Sequence, residues 1–348
     1  MALLAGELAR RAYRVALIVY PVPDPIAGID PRLTLVERQR YVEGGLWRRL
    51  AEGVNVLRAL EAADSRVIVV RTGTPVVGFI ALYCLARRRR FVFSSANDFD
   101  FLPRHDTSRV QAWLYRFGVR HADAVVVQSL EQTTLARRAF PEIRHLAHIA
   151  SFADYPALPG SPREPEAFVW AGRFTEYKRP LLFVELAKAV PEARFVAVPH
   201  LPRSLDEAQQ AIMREFEQAA SSLPNFELSG SLPHASLMEL FGRSVALVNT
   251  SSFEGMPNTF LEAWGQGIPV LTYSFDPDGV VGAKGLGVSA EGVWDRFVAG
   301  ARDLWAGRFD REEMAQRVRA HVRDNHSFEA VGARWREVLE HLGVPGSG

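Results

Sequence analysis

Apolar residues along the chain form short β-branched runs, and the stretches between these runs are long enough to hold a helix each. This alternation is typical of parallel strands joined by crossover helices. The predicted strands of the first half are residues 14–20, 66–70, 91–93, 124–127 and 145–150. Those of the second half are residues 167–171, 194–198, 226–228, 245–249 and 268–272. Both halves are therefore predicted to be α/β, each with a parallel, doubly wound sheet.

The stretches between the predicted strands have helical spacing, which predicts amphipathic helices with one apolar face. In the first half these faces are Leu46, Leu50, Val54, Leu57 and Leu60 on one helix and Val110, Trp113, Leu114 and Phe117 on another. The last segment, 327–342, repeats the pattern with Val331, Trp335, Val338, Leu339 and Leu342.

The periodicity stops between residues 151 and 166, where prolines fall three residues apart at 156, 159, 162 and 165. Proline disfavours both helix interiors and central strands, so the interdomain linker is predicted here. The expected domains are 1–155 and 165–325, with the helix 327–342 crossing back to brace the first. Parallel sheets hold ligands beyond the carboxyl ends of their strands, so two such domains facing each other would form a binding cleft.

Composition and charge narrow the functional classes. The 348 residues are 48% hydrophobic and 23% charged, as in ordinary globular proteins, and the formal charge of +1 gives no overall field to hold a nucleic acid. The lone cysteine, Cys84, excludes a disulfide framework within the chain and a cysteine-based zinc site, which favours a reducing, cytoplasmic compartment. The apolar stretch at 72–86 is too short to span a membrane.

The most informative segment is 250–264, which directly follows the predicted strand 245–249. Pro257 suits the first turn of a helix, since its missing N–H would have no partner there. The amides of Asn258 and Thr259 would then point out of the helix start and, with the helix dipole, favour a phosphate. Gly255 allows the backbone to approach that ligand closely.

Two carboxylates, Glu254 and Glu262, flank this predicted phosphate site. Carboxylates do not bind phosphate, but they accept hydrogen bonds well from sugar hydroxyls. The arrangement therefore suits a ligand with phosphates in the middle and a hydroxylated ring at each end, and a nucleotide sugar has that shape.

The Glu254-x7-Glu262 pair resembles the mark of the family 4 glycosyltransferases of the GT-B fold. The element Gly172-Arg173-x4-Lys178 is similar to the one with which that family holds the donor diphosphate, and the resemblance covers most of residues 165–325. It implies two Rossmann-like domains and transfer from a UDP-, GDP- or ADP-linked sugar to a glycan, lipid-linked or small-molecule acceptor.

The same resemblance implies retention of configuration and no need for a metal or other cofactor. It assigns the donor diphosphate to Arg173 and Lys178, the sugar hydroxyls to Glu254 and the ribose to Glu262. The remaining donor contacts it implies are Gly172, Gly255, Met256, Pro257, Asn258 and Thr259.

The first half departs from the family pattern. Asn97 stands before Asp98 where members often carry a His-Asp pair, which makes these two residues the candidate acceptor contacts. Asp98-Phe99-Asp100 imitates the metal-binding Asp-x-Asp of another glycosyltransferase fold, but here a solvated loop is the preferred interpretation. The proline-rich residues 21–31 replace a glycine-rich turn and are predicted to shape the acceptor pocket.

Three functions remain open at this stage: a sugar transferase, a GT-B epimerase acting on the nucleotide sugar itself, and a non-catalytic nucleotide-sugar-binding protein. Donor turnover with and without acceptors would separate them. The run Arg87 to Arg90 has two interpretations as well, a solvated helix end or a grip on anionic lipid at the inner face of the membrane.

Overall fold

The computed structural model describes residues 1–20, 29–38, 46–71, 73–102, 108–153, 165–201 and 205–344. The chain divides into two compact units, Met1–Phe152 with Phe328–Gly348, and Ala153–Ser327. Most of the predicted proline-rich loop at 21–31 and the linker prolines at 156, 159 and 162 lie outside the described residues.

The first unit contains two parallel sheets. Its elements, in chain order, are α1 (Ala2–Arg10), β1 (Ala16–Val19), β2 (Thr34–Glu37), α2 (Leu46–Ala63), β3 (Val67–Val70), α3 (Val76–Arg87), β4 (Arg90–Ser94), α4 (Arg109–Arg120), β5 (Ala124–Val127), α5 (Leu130–Ala139) and β6 (Leu146–His148). Strands β3 to β6 form one sheet in sequential order, and β1 pairs with β2. The predicted first strand thus pairs with a strand that was not predicted, because the mostly exposed Thr34–Glu37 lacks an apolar pattern.

The second unit contains one six-stranded parallel sheet. Its elements are β7 (Ala167–Gly172), α6 (Leu181–Ala189), β8 (Phe195–Pro199), α7 (Glu207–Ala220), β9 (Phe226–Leu228), α8 (His234–Gly242), β10 (Ser244–Asn249), α9 (Asn258–Gln266), β11 (Val270–Thr272), α10 (Val280–Ala283), β12 (Gly287–Ser289), α11 (Trp294–Trp305) and α12 (Arg311–His326). The strand order is β12-β11-β10-β7-β8-β9. Strand β11 begins two residues later than predicted, because the left-handed Gly267 ends α9 just before Ile268 and Pro269.

The last helix, α13 (Phe328–His341), packs within the first unit. Its Trp335 and Leu339 share a buried cluster with Leu4 and Leu8 of α1. Alternate residues of the four-stranded sheet divide between its two faces, since side chains along a strand point to opposite sides. Val92 and Val126 face this cluster, whereas the other face packs against α2, α3, α4 and α5.

Helices α3 and α4 cross with no room for side chains between them. A Cβ on Gly78 would lie 2.3 Å from the carbonyl oxygen of Leu114, and one on Gly118 would lie 2.6 Å from the backbone of Val77. Trp113, on the predicted apolar face of α4, is 59% exposed, so that face extends beyond what the core covers. No helix in the described part of the chain has the length and apolar character needed to cross a bilayer.

Candidate functional site

The strand order of the second unit reverses between β7 and β10, which lie side by side at the centre of the sheet. Ligands of open parallel sheets bind outside the carboxyl ends of the strands at such a reversal. The two loops that leave the sheet here are residues 173–180 after β7 and residues 250–257 after β10. They contain the two elements that the sequence singled out.

Backbone and side-chain hydrogen bonds hold these two loops together. The Ser252 amide donates to the carbonyl oxygen of Tyr177 at 2.8 Å, and the Thr250 hydroxyl donates to that of Lys178 at 2.6 Å. The indole of Trp170 in β7 also donates to the Thr250 hydroxyl, at 3.1 Å. The loops therefore form a single structure rather than two independent ones.

Arg179 fastens this structure and was not singled out from the sequence. Its backbone is left-handed, with φ of 43°, and its guanidinium donates to the carbonyl oxygens of Thr250 at 2.9 Å and Ser251 at 3.2 Å and to the Ser274 hydroxyl. Desolvation lowers the pKa of Arg179 somewhat, although the neighbouring Tyr273 opposes this. Because it stands between Lys178 and Pro180 in a basic run, no local pattern distinguishes its role.

Lys178 forms an ion pair with Glu254, so the structure brings together two of the predicted catalytic residues. Both side chains are mostly buried, and the ammonium contacts Oε1 of the carboxylate. The Ser251 hydroxyl donates to the same Oε1 at 2.7 Å. Within the described residues, Oε2 of Glu254 receives no hydrogen bond from the protein, which leaves that oxygen available to a ligand.

Arg173, the other predicted cation, is exposed and reaches the second loop through an aromatic pair. Its Nη2 donates to the Tyr177 hydroxyl at 2.8 Å, and the Tyr177 ring stacks on Phe253 with centroids 5.0 Å apart. The preceding Gly172 ends β7, and its carbonyl oxygen accepts from the His200 amide at 2.7 Å. A Cβ at Gly172 would lie 3.2 Å from the Trp170 ring.

Helix α9 begins at Asn258 without a side-chain cap. Pro257 is the N-cap, one residue earlier than the predicted first-turn position, because its ψ of 127° is extended rather than helical. In the described part of the chain, the amides of Asn258 and Thr259 have no protein acceptor. Uncapped amides at the positive end of a helix are donors suited to an anion.

The residues beside this helix start differ in burial. Gly255 and Met256 are half-buried, and the Met256 side chain packs against the core of the unit. Glu262, further along α9, is almost completely buried, and its Oε1 lies 3.3 Å from Nε2 of His234. His234 is the exposed first residue of α8 and was missed, because a single histidine after a proline carries no distinctive spacing.

In the first unit, Asn97 is exposed and Asp98 half-buried at a single helical turn after β4. The prediction of a solvated loop is wrong for Asp100, which is 3% exposed. One of its oxygens accepts from the Ala96 amide at 2.7 Å and the Ser95 hydroxyl at 3.0 Å. Asp100 therefore shapes the turn that presents Asn97.

A second polar group lies at the carboxyl ends of β3 and β5. Arg71, directly after β3, donates to the Gln128 side chain at 2.8 Å, and Gln128 in turn donates to the Ser151 hydroxyl at 2.7 Å. Burial lowers the pKa of Arg71, while the charge of Asp100 opposes that change. No sequence pattern distinguished Arg71, since arginine is common throughout the chain.

The described residues contain no group of three or more histidine, cysteine or acidic side chains arranged to hold a metal ion. His105 lies outside the described residues. Cys84 is buried, as predicted, and burial raises the pKa of its thiol to about 12.

Comparisons with known proteins bear on the fold and on the second unit. A family model described as "Glycosyl transferases group 1" matches residues 165–333. Sucrose-phosphate synthase from Thermosynechococcus elongatus superposes with a TM-score of 0.77 at 15% identity, over 98% of this chain and 92% of that one. The fold is GT-B. The predicted fold class of two Rossmann-like α/β units is thereby confirmed.

Two further GT-B structures were solved with ligands. Anabaena HepE in complex with UDP and glucose gives a TM-score of 0.69 at 15% identity, over 97% of this chain and 95% of that one. S. aureus TarM, solved with UDP and sugar compounds, gives 0.65 at 14% identity over 83% of this chain, which spans 59% of TarM. No curated protein shows significant sequence similarity to the chain.

Proposed function

We propose that this GT-B protein is a glycosyltransferase that moves a sugar from a nucleoside diphosphate sugar to a hydroxyl acceptor. The observation that carries the proposal is the Lys178–Glu254 pair beside the uncapped start of α9, at the reversal of the strand order. The family match from residue 165 to 333 supports it, since the match includes every residue of this site.

In this proposal the diphosphate lies at the start of α9 and accepts hydrogen bonds from the amides of Asn258 and Thr259. Arg173, with its exposed guanidinium, offers a planar fork to the same group. Gly172 and Gly255 leave space beside the phosphates, and Met256 and Pro257 fix the turn into the helix.

Lys178 acts through its pairing with Glu254 in this arrangement. Its ammonium offsets the charge of Glu254, so the carboxylate can lie close to a diphosphate without strong repulsion. Oε2 of Glu254 then accepts hydrogen bonds from the hydroxyls of the transferred sugar. Glu262 accepts from the ribose hydroxyls, and His234 lies beside it on the exposed side.

The transfer proceeds with retention of configuration and without a metal. The bond from the anomeric carbon to the β-phosphate oxygen breaks, and the acceptor oxygen forms its bond to that carbon on the same face. The departing diphosphate takes the proton of the acceptor hydroxyl, and Arg173 and Lys178 stabilise its growing charge.

The acceptor, a glycan, a lipid-linked sugar or a small molecule, belongs to the first unit in this proposal. Asn97, presented by the Asp100 turn, and the neighbouring Asp98 are the proposed contacts. We further propose that the protein works in the cytoplasm and uses no cofactor.

A thermal-shift panel of UDP, GDP, ADP and dTDP tests the donor site. UDP comes first because HepE and TarM were solved with it. A ligand at 100 times its dissociation constant stabilises the folded protein by about 2.7 kcal/mol. We expect one diphosphate to stand out and Glu262→Ala to flatten its response, whereas Glu215→Ala, an exposed carboxylate on α7, leaves it unchanged.

Turnover of the matching donor sugar then distinguishes a transferase from the alternatives. A transferase consumes the donor faster when acceptors are present, an epimerase interconverts nucleotide sugars without them, and a binding protein does neither. If none of the diphosphates shifts the melting temperature, the proposed donor site is wrong.

A further inference from the structure

The first unit exposes a row of large apolar side chains on two adjacent helices. They are Phe79, Leu82 and Leu85 on α3 and Val110 and Trp113 on α4, and we refer to these five residues as the α3–α4 surface. Leu85 is 54% exposed and Val110 is 67% exposed. Both helices pack on the same face of the four-stranded sheet, so their outer sides belong to one side of the unit.

The α3–α4 surface is not needed to build the core. Val77, Ile80 and Cys84 on the opposite side of α3 already fill the space above the sheet. The residues at 79, 82 and 85 therefore form a second apolar face on the same helix, which is charged only at its last residue, Arg87. A contiguous apolar patch on the outside of a protein marks an interaction surface.

The charged residues within the two helices of the α3–α4 surface are all positive. Neither α3 nor α4 contains an acidic residue. Arg109 and Arg116 lie four residues before and three after Trp113, hence on its side of α4, and Arg88 directly follows α3. Within the described residues, neither Arg88 nor Arg109 has an acidic partner.

The remaining arginines of the two helices have partners. Arg87 contacts Glu61 at the end of α2, and Arg120 contacts Glu142 after α5. Arg116 lies over the Phe140 ring, 5.0 Å from its centroid. Among the described arginines of these two helices and their ends, Arg88 and Arg109 are therefore the two without an acidic or aromatic partner.

We propose that the α3–α4 surface docks on a lipid bilayer that contains anionic headgroups. Exposed Phe and Leu side chains enter the headgroup–acyl boundary, Trp113 lies at the interface where its ring is favoured, and the arginines contact lipid phosphates. A second copy of the chain fits less well, because a symmetric contact would set one cationic face against another. The inference does not rest on glycosyl transfer.

Co-sedimentation of the full-length protein with vesicles tests the docking surface. We expect binding to vesicles of phosphatidylcholine and phosphatidylglycerol, and at least tenfold weaker binding to phosphatidylcholine alone. Leu82→Glu with Leu85→Glu lowers the partition coefficient at least tenfold. Val293→Glu with Phe309→Glu is the matched control, because it adds the same charge at two similarly exposed positions of the other unit.

The contribution of the arginines to vesicle binding is tested by a separate pair of double variants. Arg88→Gln with Arg109→Gln weakens binding to anionic vesicles by about fivefold per arginine, whereas Arg214→Gln with Arg311→Gln, exposed arginines of the second unit, leaves it unchanged. Circular dichroism checks that every variant is folded.

Two results would overturn the docking proposal. One is wild-type protein that stays in the supernatant with both kinds of vesicle. The other is light scattering that shows a dimer which the Leu82→Glu, Leu85→Glu variant converts to a monomer, because the apolar face would then be a contact between copies. Nucleotide thermal shifts report on the donor site alone, so failure of either proposal is distinguishable from failure of the other.

Discussion

The carboxyl edges of the two sheets use polar residues in opposite ways. In the first unit, Asp100 is buried and accepts hydrogen bonds from its own turn, and α5 is capped by Ser129, whose hydroxyl accepts from the Gln132 amide at 3.0 Å. In the second unit, α9 starts without a side-chain cap and Arg173 remains exposed. The start of α5 is closed by its own side-chain cap, whereas the start of α9 leaves amide donors for a ligand.

This contrast is informative because both edges have the same local architecture of strand, loop and helix. A helix start that needs no ligand is closed by a serine, whereas one predicted to hold a phosphate is preceded by proline and glycine. The capping state therefore distinguishes the start of α5 from that of α9.

The largest expected effect is on turnover, at the carboxyl edge of the second unit's sheet. Arg173→Ala lowers kcat by about 100- to 1000-fold, because a cation that stabilises the departing diphosphate is lost. The melting temperature stays near that of the wild type, since the side chain is exposed. Arg214→Ala on α7 is the matched control, and donor consumption in the presence of acceptor is the measurement. A kcat unchanged by Arg173→Ala would remove this residue from the mechanism.

At the carboxyl edge of the first unit's sheet, mutation is expected to change the unfolding free energy rather than turnover. Asp100→Ala leaves the Ser95 hydroxyl and the Ala96 amide without their buried acceptor, which we expect to cost about 3 kcal/mol of unfolding free energy. Urea denaturation measures this cost. The nucleotide thermal shift remains, because Asp100 is not part of the proposed donor site. Loss of that shift in a folded Asp100→Ala protein would contradict the division of roles between the edges.

A buried histidine that packs against α9 predicts that the stability of the fold depends on pH. His321 of α12 lies edge-on to Trp264, and burial, with smaller contributions from His326 and Lys284, lowers its pKa to about 4, although Asp324 opposes this. Because the unfolded state binds the proton more tightly, this histidine stabilises the fold above about pH 6.5, and the contribution is lost as the pH falls towards 4.

The expected loss is on the order of 2 kcal/mol, measured as unfolding free energy between pH 7 and pH 4. His321→Asn removes the titrating group and flattens this part of the profile. An equally steep profile in that variant would assign the acid sensitivity to other groups.

The smallest effects on stability are expected from substituting the N-cap residues of α5 and α9. Ser129→Ala removes the cap of α5 and costs about 1 kcal/mol without changing the nucleotide thermal shift. Pro257→Asp supplies a capping carboxylate to α9, changes stability by no more than about 1 kcal/mol, and abolishes the shift, because the carboxylate repels the diphosphate. A normal shift in Pro257→Asp would place the anion elsewhere.

The sequence predicted most of the fold because buried parallel strands are nearly continuous apolar runs. Ala124–Val127 and Phe226–Leu228 match their predicted bounds. Strand β2 was missed because its residues are mostly exposed, and β12 because a three-residue strand that begins with glycine carries no periodic signal. Tertiary pairing, rather than local pattern, makes both of them strands.

The candidate site was predictable where chemistry and spacing coincide, as for Glu254 and Glu262. It was not predictable for residues whose contacts lie far away in the sequence. Arg179 and His234 make their contacts with residues 71 and 28 positions away, and only the folded chain shows which carbonyl or carboxylate they meet. The prediction that Asp100 is solvated was wrong because composition does not show whether a short acidic loop is buried.

The hydrogen bonds made by Arg179 have a consequence for local unfolding of the site. One guanidinium holds the carbonyl oxygens of Thr250 and Ser251, which follow β10, and the Ser274 hydroxyl, which follows β11, so a single side chain ties two strand ends to the loop after β7. Neither loop can open on its own without breaking these contacts. The ligand-facing edge should accordingly lose its protection against amide hydrogen exchange as one cooperative unit, and a ligand that orders either loop orders both.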